Sequence, residues 1–137
     1  MYLPLILGFL ASLLLVPTDN KSDREKLQGE WKLESGLMAG EKPPEEFIKN
    51  FSITFKGETW AVSVNGQEEK GTYKENATKK PKEITFVSDS GSERQGIYDL
   101  DGDNFKICVS EPGGTRPTEF DSKAGSQSMY LVFKRKK

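Results

Sequence analysis

Apolar and polar residues alternate with a period of two along most of the chain after residue 28, which is the pattern of β-strands with one buried face. Phe51, Ile53 and Phe55, for example, are separated by single small polar residues, and Asn65-Gly66 is typical of a tight hairpin turn. Short strands at near-even spacing favour a β-barrel or a β-sandwich. Eight strands are predicted, at Trp31–Leu37, Phe51–Phe55, Trp60–Val64, Gly71–Lys74, Ile84–Val87, Gly96–Leu100, Phe105–Val109 and Met129–Phe133.

One segment between the first two predicted strands departs from this alternation. Residues Lys42–Asn50 place two prolines at the start, two acids in the first turn and a lysine near the end. That distribution of charge and of proline is typical of a short helix. Such a helix either covers one end of a barrel or is a crossover that only shields the core.

The N-terminal segment reads as a targeting sequence. The first 18 residues carry no charged side chain, and Leu3–Val16 is almost wholly apolar. A helix of that length spans about 21 Å, which is short of the ~30 Å hydrocarbon layer. We therefore predict a signal peptide over residues 1–18, with an uncleaved anchor as the alternative, and an extracytoplasmic protein, either periplasmic or secreted. Residues 19–26 are a polar linker or the first turn of a short helix, and residues 27–137 are the folded domain.

The charge and composition of the chain exclude several classes of partner and of catalytic chemistry. The chain of 137 residues has 20 Lys+Arg against 21 Asp+Glu with both signs interspersed, which does not favour nucleic acid or a membrane surface as a partner. Contact with a membrane is expected only through an uncleaved N-terminal segment. With no histidine and one cysteine, Cys108, catalysis by a Cys-His pair and an internal disulfide are both excluded. Cys108 is either a packed, inert thiol or a site of reaction or intermolecular pairing.

No motif for a cofactor or a metal emerges. The acidic group at Asp99–Asn104 resembles a calcium loop in composition, but its glycine is at the fourth position rather than the sixth, so it is predicted to be a hairpin turn. Carboxylates elsewhere show no spacing that would identify a catalytic pair. We expect a monomeric, non-enzymatic protein with no cofactor and no metal.

The two ends of the domain carry a resemblance. Leu27–Leu33, with Gly29 and Trp31 in the order Gly-x-Trp, resembles the strand that opens lipocalins and their calycin relatives, and Arg135 occupies the place of their late arginine. In that superfamily the arginine packs across the tryptophan and closes the base of the barrel. The resemblance implies this role for Gly29, Trp31 and Arg135.

The region from Leu27 to Lys134 is similar, more specifically, to a bacterial family of small exported lipocalin-like domains. The resemblance implies an all-β, lipocalin-like, eight-stranded antiparallel up-and-down barrel with a short helix between the first two strands. It implies an exported location and no particular activity. The matching pieces are Leu27–Lys32, Gly71–Tyr73, Lys80–Ile84, Gly96–Asp103, Arg116–Phe120 and the closing strand.

Two uses of such a barrel remain open. Six aromatic residues are candidates to line a cavity for a small apolar or amphipathic ligand, although in a barrel this small they could equally fill the core: Phe51, Phe55, Trp60, Phe86, Tyr98 and Phe105. The alternative is a filled barrel that binds a protein partner or inhibits an enzyme through its loops. Its candidate surface is Glu111–Ser128 with Arg116 and Glu119, which we expect to pair with each other.

Overall fold

The computed structural model describes residues 21–137, so the predicted signal or anchor at residues 1–18 lies outside the described residues. The elements within them are α1 (Asp23–Leu27), β1 (Gly29–Met38), α2 (Glu45–Lys49), β2 (Phe51–Lys56), β3 (Thr59–Val64), β4 (Gln67–Asn76), β5 (Lys82–Ser88), β6 (Glu93–Asp101), β7 (Asn104–Val109) and β8 (Met129–Arg135).

The eight strands form a closed barrel in which each strand is antiparallel to the next and β8 returns to β1. The prediction of an eight-stranded up-and-down barrel with a short helix after the first strand is confirmed. Closure matters physically because it leaves no strand edge unpaired. At the closing seam Trp31 lies opposite Arg135, and a register shift between Leu33 and Ser35 marks a bulge in β1.

The predicted hairpin turn at Asn65-Gly66 joins β3 to β4. Both residues have positive φ, 49° for Asn65 and 82° for Gly66, which is the backbone that a two-residue turn between twisted strands requires. The acidic segment predicted as a turn likewise joins β6 to β7, with Gly102 at a φ of 60°. These turns fix which residues point into the barrel.

Aromatic side chains fill one half of the barrel. Trp31, Phe55 and Phe105 are almost fully buried, and their rings contact one another at centroid distances of 5.5 Å for Trp31 and Phe105 and 5.8 Å for Phe55 and Phe105. Tyr98 lies beside them, 6.3 Å from the Phe105 ring. This half is therefore solid core, and we call its outer limit the closed end.

Helix α1 covers the closed end. Ser22 and Glu25 form a capping box at its start, and Leu27 at its end is fully buried against the core. The segment considered a linker or a first helical turn is thus helical from Asp23 onwards. Helices α1 and α2 are each five residues long. Within residues 21–137, therefore, no helix could span a bilayer.

The long connection between β7 and β8, residues 110–128, packs on the outside of the barrel, and we call it the strap. It covers the outward faces of Ile97 and Cys108, which are 1% and 0% exposed. The Cys108 thiol donates a hydrogen bond to the carbonyl oxygen of Asp121 at 3.3 Å. Ser122 joins the strap to the turn after β1 by accepting a hydrogen bond from the amide of Ala39 at 2.9 Å.

Candidate functional site

A cavity of about 250 Å³ opens at the end of the barrel opposite α1. The β3–β4 hairpin is at this end, since Val64 lines the cavity, whereas the turn at Gly57 is tied to Gln28 beside α1 at the other end. The walls are almost entirely apolar. Its lining residues are Met38, Phe47, Phe51, Ile53, Trp60, Val62, Val64, Glu69, Phe86, Arg94, Ile107, Val109, Met129, Leu131 and Phe133.

Of the six aromatic residues predicted to line a cavity, half do so. Phe51, Trp60 and Phe86 form part of its wall, with Trp60 and Phe86 in edge-to-face contact at 5.5 Å. Phe55, Tyr98 and Phe105 belong to the solid half instead. The barrel therefore combines the two alternatives left open by the sequence: a filled half at the closed end and a hollow half at the mouth.

Helix α2 lies at the mouth. The ring of Phe47 lines the cavity and packs against Phe51 at a centroid distance of 5.2 Å. Ile48 also packs on the core while remaining partly exposed. The helix begins after Pro44, whose side chain makes no capping hydrogen bond, and it ends at Lys49, just before β2 starts at Phe51. Helix α2 therefore covers part of the cavity mouth, where Phe47 and Ile48 pack it against the core.

Two charged residues interrupt the apolar wall, and neither was singled out from the sequence. Glu69 on β4 lies opposite Val62, and Arg94 on β6 lies opposite Phe86. Arg94 donates one hydrogen bond, from Nη1 to the carbonyl oxygen of Ser110 at 3.1 Å. The alternation of side chains along β6 could have identified Arg94, because it lies on the same face of the strand as the inward-pointing Tyr98.

At the closed end the structure brings together the three residues that the resemblance assigned to barrel closure. The Arg135 guanidinium lies 4.2 Å from the centroid of the Trp31 ring and donates to the carbonyl oxygens of Gln28, at 2.8 Å, and Lys26. Gly29 has a φ of 112°, and a Cβ there would meet Arg135 Nη1 at 3.4 Å. That distance is an ordinary van der Waals contact, so it is the positive φ that favours glycine at this position.

A second polar contact fixes α1 to the barrel. Asp23 accepts hydrogen bonds from the Tyr98 hydroxyl at 2.6 Å and from Lys82 Nζ at 3.0 Å. Burial raises the pKa of the Asp23 carboxyl, but these two donors outweigh it and hold that pKa below its ordinary value. Burial and the bond to Asp23 raise the pKa of Tyr98. Both groups therefore keep their ordinary charge at neutral pH, as structural anchors do.

Arg116 does not pair with Glu119, and that expectation is wrong. Its guanidinium forms an ion pair with Glu83 at 3.7 Å and lies across the outer face of β5 and β6. It donates to the carbonyl oxygens of Ile84 at 3.0 Å and Gly96 at 2.6 Å, and also to the side chains of Thr85 and Gln95. Every residue type carries a main-chain carbonyl, so a sequence pattern could not predict that Arg116 would donate to those of Ile84 and Gly96. Arg116 holds the strap to its own barrel.

The remaining reactive side chains of residues 21–137 are the Cys108 thiol and the carboxylates. Burial raises the pKa of the Cys108 thiol, which keeps it protonated under the strap. Among residues 21–137 no three Asp, Glu, His or Cys side chains are placed to share a metal ion. The cavity itself contains one carboxylate and one guanidinium, Glu69 and Arg94.

Comparisons with protein-family models, with curated proteins and with solved structures found no match to this chain. The resemblance to exported lipocalin-like domains therefore stays a prediction that depends on the residues quoted for it.

Proposed function

We propose that this protein is a non-enzymatic binding protein that holds a small apolar or amphipathic ligand in the open half of its barrel. The observation that carries the proposal is the cavity of about 250 Å³ with apolar walls, which opens to solvent under α2. Ligand sites are typically concave, mostly apolar and marked by a few polar groups, and this cavity has that composition.

The size of the cavity bounds the ligand. A water molecule takes up ~30 Å³ of liquid, so the cavity holds the equivalent of about eight waters, or a ligand of about eight non-hydrogen atoms. At ~0.8 kcal/mol for each buried methylene, such a ligand gains at most about 6 kcal/mol from apolar burial. We therefore expect dissociation constants between about 40 μM and 1 mM for simple aliphatic compounds.

The first test is native mass spectrometry of the tag-free domain beside a denatured sample. We expect excess mass that disappears on denaturation, or adducts when short aliphatic compounds are added, on a protein that is otherwise a monomer. A bare mass with no response to such a panel would reject the proposal and turn attention to protein partners of the loops.

A variant that fills the cavity gives a sharper test. Val62 lines the cavity, so Val62→Phe adds about four carbon atoms to a space for about eight non-hydrogen atoms and should greatly weaken binding of eight-carbon probes. Val87 has the opposite parity to cavity-lining Phe86 on β5, so Val87→Phe adds the same group outside the barrel and should leave binding intact. Equal loss in both variants would indicate damage to the fold and not a site in the cavity.

The proposal includes export, for which residues 1–18 are the support. Expression of the full chain in a bacterial host and mass measurement of the periplasmic or secreted product should show removal of about 18 residues. Full-length protein in the membrane fraction would favour the anchored alternative, and full-length protein in the cytoplasm would reject export.

A further inference from the structure

The charges in the cavity wall differ in their surroundings. Arg94 is half-buried, whereas Glu69 is exposed at the rim. Both line the cavity, on strands separated only by β5. A charge at an apolar wall is stabilised by water much less than a charge at the surface, so of the two it is Arg94 that gains more from a partner.

No carboxylate of residues 21–137 forms an ion pair with Arg94. Its described hydrogen bond is to the carbonyl oxygen of Ser110, which anchors one nitrogen at the base of the strap. That bond orients the guanidinium and leaves its other N–H groups without a described partner. A guanidinium held in this way presents a planar set of donors that matches a carboxylate.

The rest of the wall can hold only an apolar group. Val109 and Met129, on the strands that follow Arg94 around the barrel, line the same cavity, as do Trp60 and Phe86 on the other side. A ligand whose carboxylate meets Arg94 would therefore place its hydrocarbon chain among aromatic and aliphatic side chains. Glu69 disfavours a second negative charge at the rim, which restricts the ligand to a single acidic head.

We infer that the ligand is an aliphatic monocarboxylate of about six to eight carbons, with its carboxylate bound by Arg94 and its chain in the cavity. This inference rests on the proposed function, since it requires that the cavity bind a ligand. It adds the chemical class of the head group and assigns to Arg94 the discrimination among head groups.

The test compares three probes that share a chain and differ in the head group: octanoate, 1-octanol and octylamine at pH 7.5. Binding to the whole exported domain is measured by titration calorimetry and by the fluorescence of Trp60, which is in the cavity wall. We expect octanoate to bind about tenfold or more tightly than octanol, because a hydrogen bond to a charged group is stronger than a neutral one.

Two variants identify the residue responsible. Arg94→Met keeps much of the aliphatic stem and should bring the octanoate dissociation constant to that of octanol, while octanol binding changes less than about twofold. Arg94→Lys should recover part of the preference for octanoate. Lys106→Met is the matched control, because it removes an exposed positive charge on β7 outside the cavity and should leave the order of the three probes unchanged. Circular dichroism and a thermal midpoint close to wild type show that each variant is folded.

The outcomes separate the two proposals. Equal binding of octanoate and octanol by the wild type would overturn the role of Arg94 and leave the ligand-binding function standing. Tightest binding of octylamine, lost in Glu69→Gln, would assign the head group to Glu69 and also overturn the inference. Failure of all three probes to bind at millimolar concentration would overturn both proposals.

Discussion

Trp31 is held by three kinds of interaction at the closed end of the barrel. Its ring is fully buried against Phe105, its indole nitrogen donates to the carbonyl oxygen of Leu27 at 2.8 Å, and its other face is covered by Arg135. The first interaction stabilises through apolar burial, and the third adds a cation–π contact of about 0.5–2 kcal/mol. A single residue thus joins α1, the core and the closing strand.

Trp31→Ala should lower the free energy of unfolding by about 3–5 kcal/mol, because the large cavity left behind cannot collapse between α1 and β8. Arg135→Met should lower it by a smaller amount, about 1–3 kcal/mol, through loss of the cation–π contact and of two hydrogen bonds to main-chain carbonyls. Denaturant titration measures both. A loss below about 1 kcal/mol for Trp31→Ala would contradict the account of the closed end.

The carboxylate of Asp23 makes the free energy of unfolding depend on pH. Its folded-state pKa lies below the ordinary value of 3.8, so its contribution is complete above about pH 5 and is lost as the pH falls through 3.8 towards the lower folded-state value. Asp23→Asn should be less stable than wild type at pH 7, and the difference should shrink as the pH falls below 3.8. Urea titrations across this range measure it.

Asp99→Asn is the control for that prediction. Asp99 is exposed on β6, and no hydrogen bond or ion pair of its side chain is found in the described part of the chain. Its replacement should leave the shape of the stability curve unchanged between pH 7 and pH 2. A similar acid dependence in the two variants would mean that general charge repulsion, and not the Asp23 contact with Tyr98 and Lys82, sets the response.

At the scale of the element, β4 depends on a glycine for its approach to β5. A Cβ added to Gly71 would lie 1.9 Å from the carbonyl oxygen of Val87 and 2.7 Å from the Cα of Ser88, both of which are main chain. Main-chain atoms in a paired strand cannot move aside without breaking the ladder. The glycine therefore allows a close approach between strands that no other residue would permit.

Gly71→Ala should destabilise the barrel by about 3 kcal/mol or more, measured by thermal or denaturant unfolding. Gly96→Ala is a graded comparison, because its added Cβ would lie 2.8 Å from Cγ1 of Val109, a side-chain atom on the cavity wall, and 3.0 Å from the main-chain carbonyl oxygen of Cys108. We expect a loss of about 1 kcal/mol there. The reverse order of the two losses would contradict the close approach of β4 and β5.

The alternation of residues predicted the elements well where one face of a strand is apolar. Phe51, Ile53 and Phe55 are all buried in β2, as their spacing requires. The start of β4 was missed because Gln67–Lys70 are all polar, and pairing with β3 across the Asn65-Gly66 turn, not burial, makes them a strand. The periodicity of the sequence thus predicts where strands occur, whereas the length of a strand also depends on the neighbouring strand with which it pairs.

The site was predicted in part for a related reason. Phe51, Trp60 and Phe86 reach the cavity, but Phe55 and Phe105 have the same inward parity and differ only in their height along the barrel. Parity is a property of the local sequence, while height in the barrel depends on the register of all eight strands. A sequence pattern can therefore identify inward residues without identifying which of them face a hollow.

At the scale of the whole molecule, the solid core and the cavity lie in opposite halves of the barrel. The closed half contains the buried aromatic cluster, α1 and the contacts of Arg135, while the mouth has the cavity and a five-residue helix. Substitutions at the mouth should therefore cost little stability compared with substitutions such as Trp31→Ala. This separation is what makes the cavity variants practical as tests of function.

The closing seam also determines how the chain can reach this structure. Trp31 meets Arg135 about 100 residues further along the chain, so β1 and β7 both have unpaired edges until the seven residues of β8 are in place. Pairing over such a separation is slow, and folding is expected in milliseconds to seconds, as for other proteins rich in non-local contacts. During that interval the open edges are templates for pairing with other chains. The C-terminal strand of the barrel is therefore the one that covers both open edges and protects the chain from aggregation.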